Sequence, residues 1–221
     1  MTDRDQGTDM PGDRNLVYSA LVGLLVRPLM DLPPVYSKVT LMLRGKDTIR
    51  RFVDLNIRPE GGERILDIGC GTGDILDYLP AVDYSGFDLN GQYIRRARKR
   101  FGNRGRFFQM AVNDEVSFGE KFDIVLAMGI LHHLNDDEAR HLFTLAARLI
   151  KPGGRILTFD GCYTDNQSAF ARFFLGLDRG KYVRDQGAYE ALARHSFSEV
   201  RVRYDRLAIP YTIIVMECRN P

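Results

Sequence analysis

The chain has 221 residues, enough for one globular domain plus an extension and for a sizeable buried core. Its hydrophobic fraction is 44% and its charged fraction 27%, ordinary for a soluble protein, and a net charge of +2 makes no global case for a nucleic-acid or membrane partner. Cys70, Cys162 and Cys218 form no C-x-x-C pair, which argues against a disulfide framework or a zinc site and suits a reducing, cytoplasmic setting.

Residues 1–13 are polar, rich in Asp, Gly and Thr, lack the basic start of a secretory signal, and read as disordered. The apolar run Leu16–Val26 is broken by Arg27 and Pro28. It is too short for a bilayer span, which needs about 20 apolar residues. The spacing predicts a helix there, stopped near Pro33 and Pro34. Lys46–Asn56 reads as an amphipathic helix with Ile49, Phe52, Val53 and Leu55 facing inward.

From residue 64 onward apolar runs alternate with helical stretches. Strands are predicted at Arg64–Ile68, Tyr84–Phe87, Arg106–Met110, Phe122–Met128 and Arg155–Phe159, and helices at Asp74–Leu79, Gly91–Phe101 and Asp136–Ile150. That order argues for a parallel sheet covered by helices. Near the C-terminus, Glu199–Tyr204 alternates strictly and Tyr211–Cys218 is strongly apolar. Only six residues separate them, including Pro210, whereas a parallel crossover needs about a dozen or more, so the two are predicted to pair antiparallel.

The chemistry concentrates in Ile65-Leu-Asp-Ile-Gly-Cys-Gly-Thr-Gly-Asp-Ile. Gly69, Gly71 and Gly73 allow a tight turn and close approach of a ligand between a strand and a helix. A dinucleotide loop places a third glycine where this chain has Asp74. Asp67 and Asp74 would repel a pyrophosphate and suit a ligand carrying cationic groups. Asp88 ends the next strand about 20 residues on, where a carboxylate accepts ribose hydroxyls.

Ile65–Ile75, Asp88, Phe122–Val125, Leu131–Leu134 and Lys151–Leu157 resemble successive motifs of class I S-adenosylmethionine-dependent methyltransferases that act on small molecules. The resemblance covers about residues 60–160. It implies a doubly wound, Rossmann-like, seven-stranded, mostly parallel sheet with an antiparallel C-terminal strand. It also implies S-adenosylmethionine as cofactor. Asp67, Gly69, Gly71 and Gly73, with Cys70 in the same turn, would hold its methionine part, and Asp88 and Leu89 its ribose and adenine edge. Family members often place an acidic residue after the third strand to read the adenine amino group. Here Ala111 stands there, leaving main-chain groups and packing from Met110 and Val112, with Asn113 or Asp114 as replacement contacts.

Ligands of doubly wound sheets sit outside the carboxyl ends of the strands, which puts Met128-Gly-Ile-Leu-His-His-Leu beside the sulfonium. His132 and His133 are candidates for a general base, because an imidazole titrates near neutrality; the alternative is that they cap or orient the following helix. A related subgroup with acids at the positions of Gly129 and His132 holds a divalent metal. Gly129 supplies no ligand, so no metal is expected. Tyr163, Tyr182 and Arg184 are candidates for the acceptor pocket.

The sequence is thus read as a cytoplasmic enzyme, monomer or homodimer, that methylates an oxygen or nitrogen of a small molecule. Residues 46–221 would form the methyltransferase domain. Residues 1–45 would form a tail and helical lid that brings Tyr36 toward the sulfonium, whose cation favours an aromatic face. Peripheral membrane contact by an interfacial helix is the competing account of that segment. Two alternatives differ in class. One is an RNA methyltransferase using the run Arg95, Arg96, Arg98, Lys99, Arg100, Arg104 and Arg106; the other is a non-catalytic S-adenosylmethionine-binding protein.

Overall fold

The apolar runs read from the sequence form one twisted sheet in the computed structural model, which describes residues 46–112, 118–177, 180–205 and 212–220. The expected disorder at 1–13, the predicted helix in 16–30, the lid, Tyr36, Asn113 and Asp114 lie outside the described residues. In chain order the strands are β1 (Arg64–Ile68), β2 (Asp83–Asp88), β3 (Gly105–Gln109), β4 (Phe122–Met128), β5 (Ile150–Tyr163), β6 (Arg184–Asp185), β7 (Glu199–Asp205) and β8 (Ile213–Arg219). The sheet runs β3-β2-β1-β4-β5-β8-β7, with the two-residue β6 paired to the end of β5.

β3, β2, β1, β4 and β5 are mutually parallel. β8 is antiparallel to both β5 and β7, so the last strand of the chain enters between them. The antiparallel pairing expected from the short connection is therefore present. The chain reverses sheet direction between β1 and β4: β1 continues to β2 on one side, and the later strands build on the other. That reversal makes a crevice at the carboxyl ends of β1 and β4.

Both sheet faces are covered, as a parallel sheet requires. Leu66, Ile68, Val125, Ala127 and Ile156 bury against α3 (Asp136–Leu149) and α5 (Gln186–Arg194) through Leu142, Phe143, Ala146, Tyr189 and Leu192. On the other face Ile65, Ile124, Leu126 and Leu157 meet α1 (Lys46–Phe52) and α2 (Gly91–Phe101) through Phe52, Ile94, Ala97 and Phe101. α4 (Ala169–Leu177) follows β5. Among the described residues no helix is long and apolar enough to cross a membrane.

Two local expectations are corrected. α1 does not run regularly to Asn56; it passes into a π-helical turn, Val53–Ile57. The wider turn rotates the inward face, so Asn56 and Ile57 are buried while Leu55, predicted inward, is 54% exposed. The predicted helix Asp74–Leu79 is only a 3₁₀ turn, Asp74–Asp77. Gly73 enters it in the left-handed region and Pro80 follows closely, leaving no room for an α-helix.

Candidate functional site

The glycine turn rises from the carboxyl end of β1 and folds back over β2. The amides of Gly69 and Cys70 both donate to the Phe87 carbonyl, at 2.8 and 3.0 Å. Gly69, Gly71 and Gly73 all have positive φ, 73°, 55° and 72°. Their surroundings differ. A Cβ on Gly69 would fall 2.6 Å from the Ile130 side chain, and one on Gly73 would fall 2.8 Å from the Phe107 ring. A Cβ on Gly71 would meet nothing within 4 Å. Gly69 and Gly73 are therefore packing positions, whereas Gly71 turns its backbone toward open space.

Asp88 fastens this turn. Its carboxylate accepts from the Gly71 amide at 2.9 Å and from the Asn90 amide at 2.7 Å. Both oxygens keep acceptor capacity for hydroxyl donors. Leu89, next along, is 72% exposed, a large apolar surface beside a carboxylate. Asn90 caps α2 through its side chain, which accepts from the Gln92 amide. Ala111 and Val112 are half-buried beyond the end of β3, and Val112 packs on the same core as Met110 and Ile130. Cys70 is half-buried; burial and the Asp67 and Asp88 charges push its thiol up.

Asp67 and Asp74 do not present the open negative charges expected of them. Asp67 is buried, and its carboxylate accepts from the Tyr84 hydroxyl at 2.7 Å. Burial pushes its carboxyl up to about 7, with the Asp88 charge adding to the rise and the Tyr84 bond opposing it. Asp67 is thus not a fixed open charge near neutral pH. Asp74 is ion-paired with Arg100, which also binds Asp77. Pyrophosphate is disfavoured for another reason: a four-residue 3₁₀ turn offers no helix N-terminus of useful dipole.

On the far side of the crevice, β4 ends at Met128, half-buried, and the chain turns through Gly129 at φ 70°. Ile130 lies on Gly69, which brings the two loops together. Leu131–His133 then form one 3₁₀ turn, and Asn135 opens α3 with a capping box closed by Glu138. This geometry separates the two histidines. His133 is exposed. His132 is buried, and its Nδ1 lies 2.7 Å from Oδ1 of Asp160, in the carboxyl-terminal part of β5. The same oxygen accepts from the His132 amide at 3.2 Å.

Asp160 was not among the residues expected from the sequence. An acid closing a predicted strand, one strand over from a histidine loop, was the available signal, but sequence alone does not give the facing partner. Of the three acceptor-pocket candidates, the Tyr163 ring lies under Arg172, and Tyr182 is 40% exposed. Arg184 is buried and turned inward. It donates to the carbonyls of Leu131, Leu134 and Tyr182 and to Asp136. It is a clamp on the His132 loop.

The basic run on α2 and β3 is also redistributed. Arg98 donates to the Phe107 carbonyl, Arg104 to the Leu76 carbonyl, Arg106 to Asp83, and Arg100 to the two aspartates already named.

A doubly wound sheet with an antiparallel last strand and a three-glycine turn at the switch point is the fold of the class I S-adenosylmethionine-dependent methyltransferases. Residues 65–154 match the family described as "Methyltransferase domain". The chain is 30% identical over 125 residues to the ubiquinone/menaquinone biosynthesis C-methyltransferase UbiE of Desulfotalea psychrophila, covering 54% of this chain and 50% of that protein. It is 32% identical over 100 residues to the probable tRNA methyltransferase 9B of Mus musculus, covering 44% of this chain and 22% of that protein. The chain thus spans half or less of the length of these curated relatives. Among solved structures, a TehB-like SAM-dependent methyltransferase from Corynebacterium glutamicum superimposes with a TM-score of 0.62 at 18% identity, covering 87% of this chain and 100% of that one.

Proposed function

We propose that this protein transfers a methyl group from S-adenosylmethionine to an oxygen or nitrogen of a small-molecule acceptor, with His132 as the base. The observation that carries the catalytic part of this reading is the His132–Asp160 pair on the strand edge that also bears the glycine turn.

Four features suit the cofactor. Gly71 leaves its approach open, the Asp88 carboxylate stands ready for vicinal hydroxyls, Leu89 offers an apolar face for a purine, and the 3₁₀ turn after Gly73 is too short to offer pyrophosphate a helix dipole. Met128 and Cys70 lie on the edge between the two loops. When bound, S-adenosylmethionine supplies an activated methyl group and needs no electrophile from the protein.

The residues then have the tasks of orientation and proton removal. Asp160, holding Nδ1–H of His132, leaves the lone pair on Nε2, the tautomer a base requires. An O–H or N–H acceptor loses its proton to that nitrogen. An acceptor that is already an anion would need no such base.

The RNA alternative draws less support than the sequence suggested. Arg98, Arg100, Arg104 and Arg106, four of its seven cations, hold internal partners rather than an open phosphate track. The relatives carry names for different acceptors, a quinone precursor pathway and tRNA, so the shared domain does not itself select the acceptor.

The test is label transfer from methyl-labelled S-adenosylmethionine in fractionated extract, with mass spectrometry of the product. Label in a low-mass fraction supports the proposal. Label only in RNA transfers the reading to the alternative, and cofactor binding without any transfer makes the protein a non-catalytic binder.

A further inference from the structure

The imidazole of His132 is enclosed by more than Asp160. After α4 the chain returns over the His132 loop, and Gly180 lies against the ring. A Cβ at residue 180 would fall 2.1 Å from Cδ2 and 2.8 Å from Cγ of His132, and 2.8 Å from its carbonyl oxygen. Contact with the ring is by itself enough to require glycine at this position. Two residues on, the Tyr182 amide donates to the His132 carbonyl at 2.9 Å. Arg184 then ties the strap down. Its guanidinium reaches the Leu131 carbonyl at 3.0 Å and the Leu134 carbonyl at 2.8 Å, on either side of the two histidines, and Asp136 at 2.8 Å. The Arg184 side chain is only 8% exposed. On its other sides the His132 ring meets the His133 ring, 4.2 Å between centroids, and Gly129, where a Cβ would stand 3.8 Å from Cε1.

We propose that Gly180 and Arg184 are positioning residues for His132: the strap they form presses the imidazole onto Asp160 and fixes both its orientation and its tautomer. This rests on the reading of His132 as the base, yet makes a separate claim about the protein alone. The strap closes from the Cδ2 edge, opposite Nδ1 across the five-membered ring. A side chain at residue 180 would take the space the ring now fills, so the imidazole would have to leave its present position against Asp160. The guanidinium fork holds three carbonyls and a carboxylate at once, which a lysine ammonium with its single point charge does not reproduce.

The experiment uses the full chain. Histidine nitrogen NMR shifts report which ring nitrogen carries the proton, and His132→Gln assigns the signal. The wild type is expected to show one tautomer with Nδ1 protonated. Gly180→Ala is expected to give a mixture of tautomers, and Arg184→Lys a smaller change of the same kind, with thermal melts showing both variants folded. With an acceptor in hand, kcat of Gly180→Ala is expected to fall about 100-fold, the scale of an ångström misplacement, while S-adenosylhomocysteine affinity by calorimetry stays the same. Wild-type nitrogen shifts in both folded variants would overturn the strap. Should Gly180→Ala fail to fold, Arg184→Lys alone decides it by the same signal. If His132→Gln keeps full turnover, the base assignment falls, while the shifts still decide whether the strap sets the ring.

Discussion

The two walls of the crevice are built over different distances in the sequence. On the β1–β2 side, Asp67, the three glycines, Asp88, Leu89 and the Asn90 cap all fall between residues 67 and 90, and backbone amides donate most of the contacts. On the β4–β5 side the functional arrangement is a side-chain cluster. Its members are His132, Asp160, Gly180 and Arg184, drawn from a loop, a strand and a strap. The first wall is a local motif that tolerates many continuations of the chain. The second exists only if β4, β5 and the segment before α5 all pack correctly.

Substitutions separate the walls. The largest effect is expected on the β4–β5 side: His132→Asn should lower turnover by roughly two to four orders of magnitude with cofactor affinity nearly unchanged. His133→Ala, at an exposed position, should leave turnover close to wild type in the same assay. Equal losses in the two variants would break the distinction between the histidines.

On the β1–β2 side the largest expected effect is on stability. Asp67 holds its proton up to about pH 7 in the folded state, whereas its ordinary value is 3.8. Between those limits the folded state binds the extra proton, so stability falls as pH rises and levels off above about 7. At about 1.4 kcal/mol per pH unit the loss is at most on the order of 4 kcal/mol. Denaturant titrations of wild type and Asp67→Asn from pH 4 to pH 8 measure it, and the variant should lack this slope.

The glycines sharpen the comparison within one loop. Gly73→Ala combines left-handed strain with a collision against Phe107 and should cost roughly 2–4 kcal/mol of stability. Gly71→Ala meets no neighbour and should cost about 1–2 kcal/mol, the strain alone. Its larger effect should be on S-adenosylhomocysteine affinity, because the added methyl projects where the ligand approaches. Melting curves and calorimetry of the pair give both numbers.

Asp88→Ala acts on binding alone and should weaken cofactor binding by about 1.5–3 kcal/mol, a charge-assisted hydrogen bond's worth. The folded domain should persist, since the Asp88 contacts hold a loop rather than the core. Unchanged affinity by calorimetry would leave Asp88 as a fastening for Gly71 and nothing more.

The amino-acid sequence by itself determined the alternation of strands and helices, the antiparallel C-terminal pair and the glycine turn with its following Asp88. Each of these is written in neighbouring residues: a period, a short connection, or a motif within one strand–turn–strand unit. Two elements departed from the local reading through local features of the chain itself. The π turn sent Leu55 outward and Asn56 inward, and Pro80 cut the expected helix to one 3₁₀ turn. The side-chain partners were decided only by the tertiary structure. Nothing near His132 in the chain announces Asp160, 28 residues away, or distinguishes the buried histidine from its exposed neighbour. Nor does the basic run reveal that Arg98, Arg100, Arg104 and Arg106 turn to internal acceptors. The physical reason is the same in each case. Backbone conformation follows from local sterics and periodicity, whereas the partner of a charged or titratable side chain depends on which distant strand ends the sheet brings alongside it.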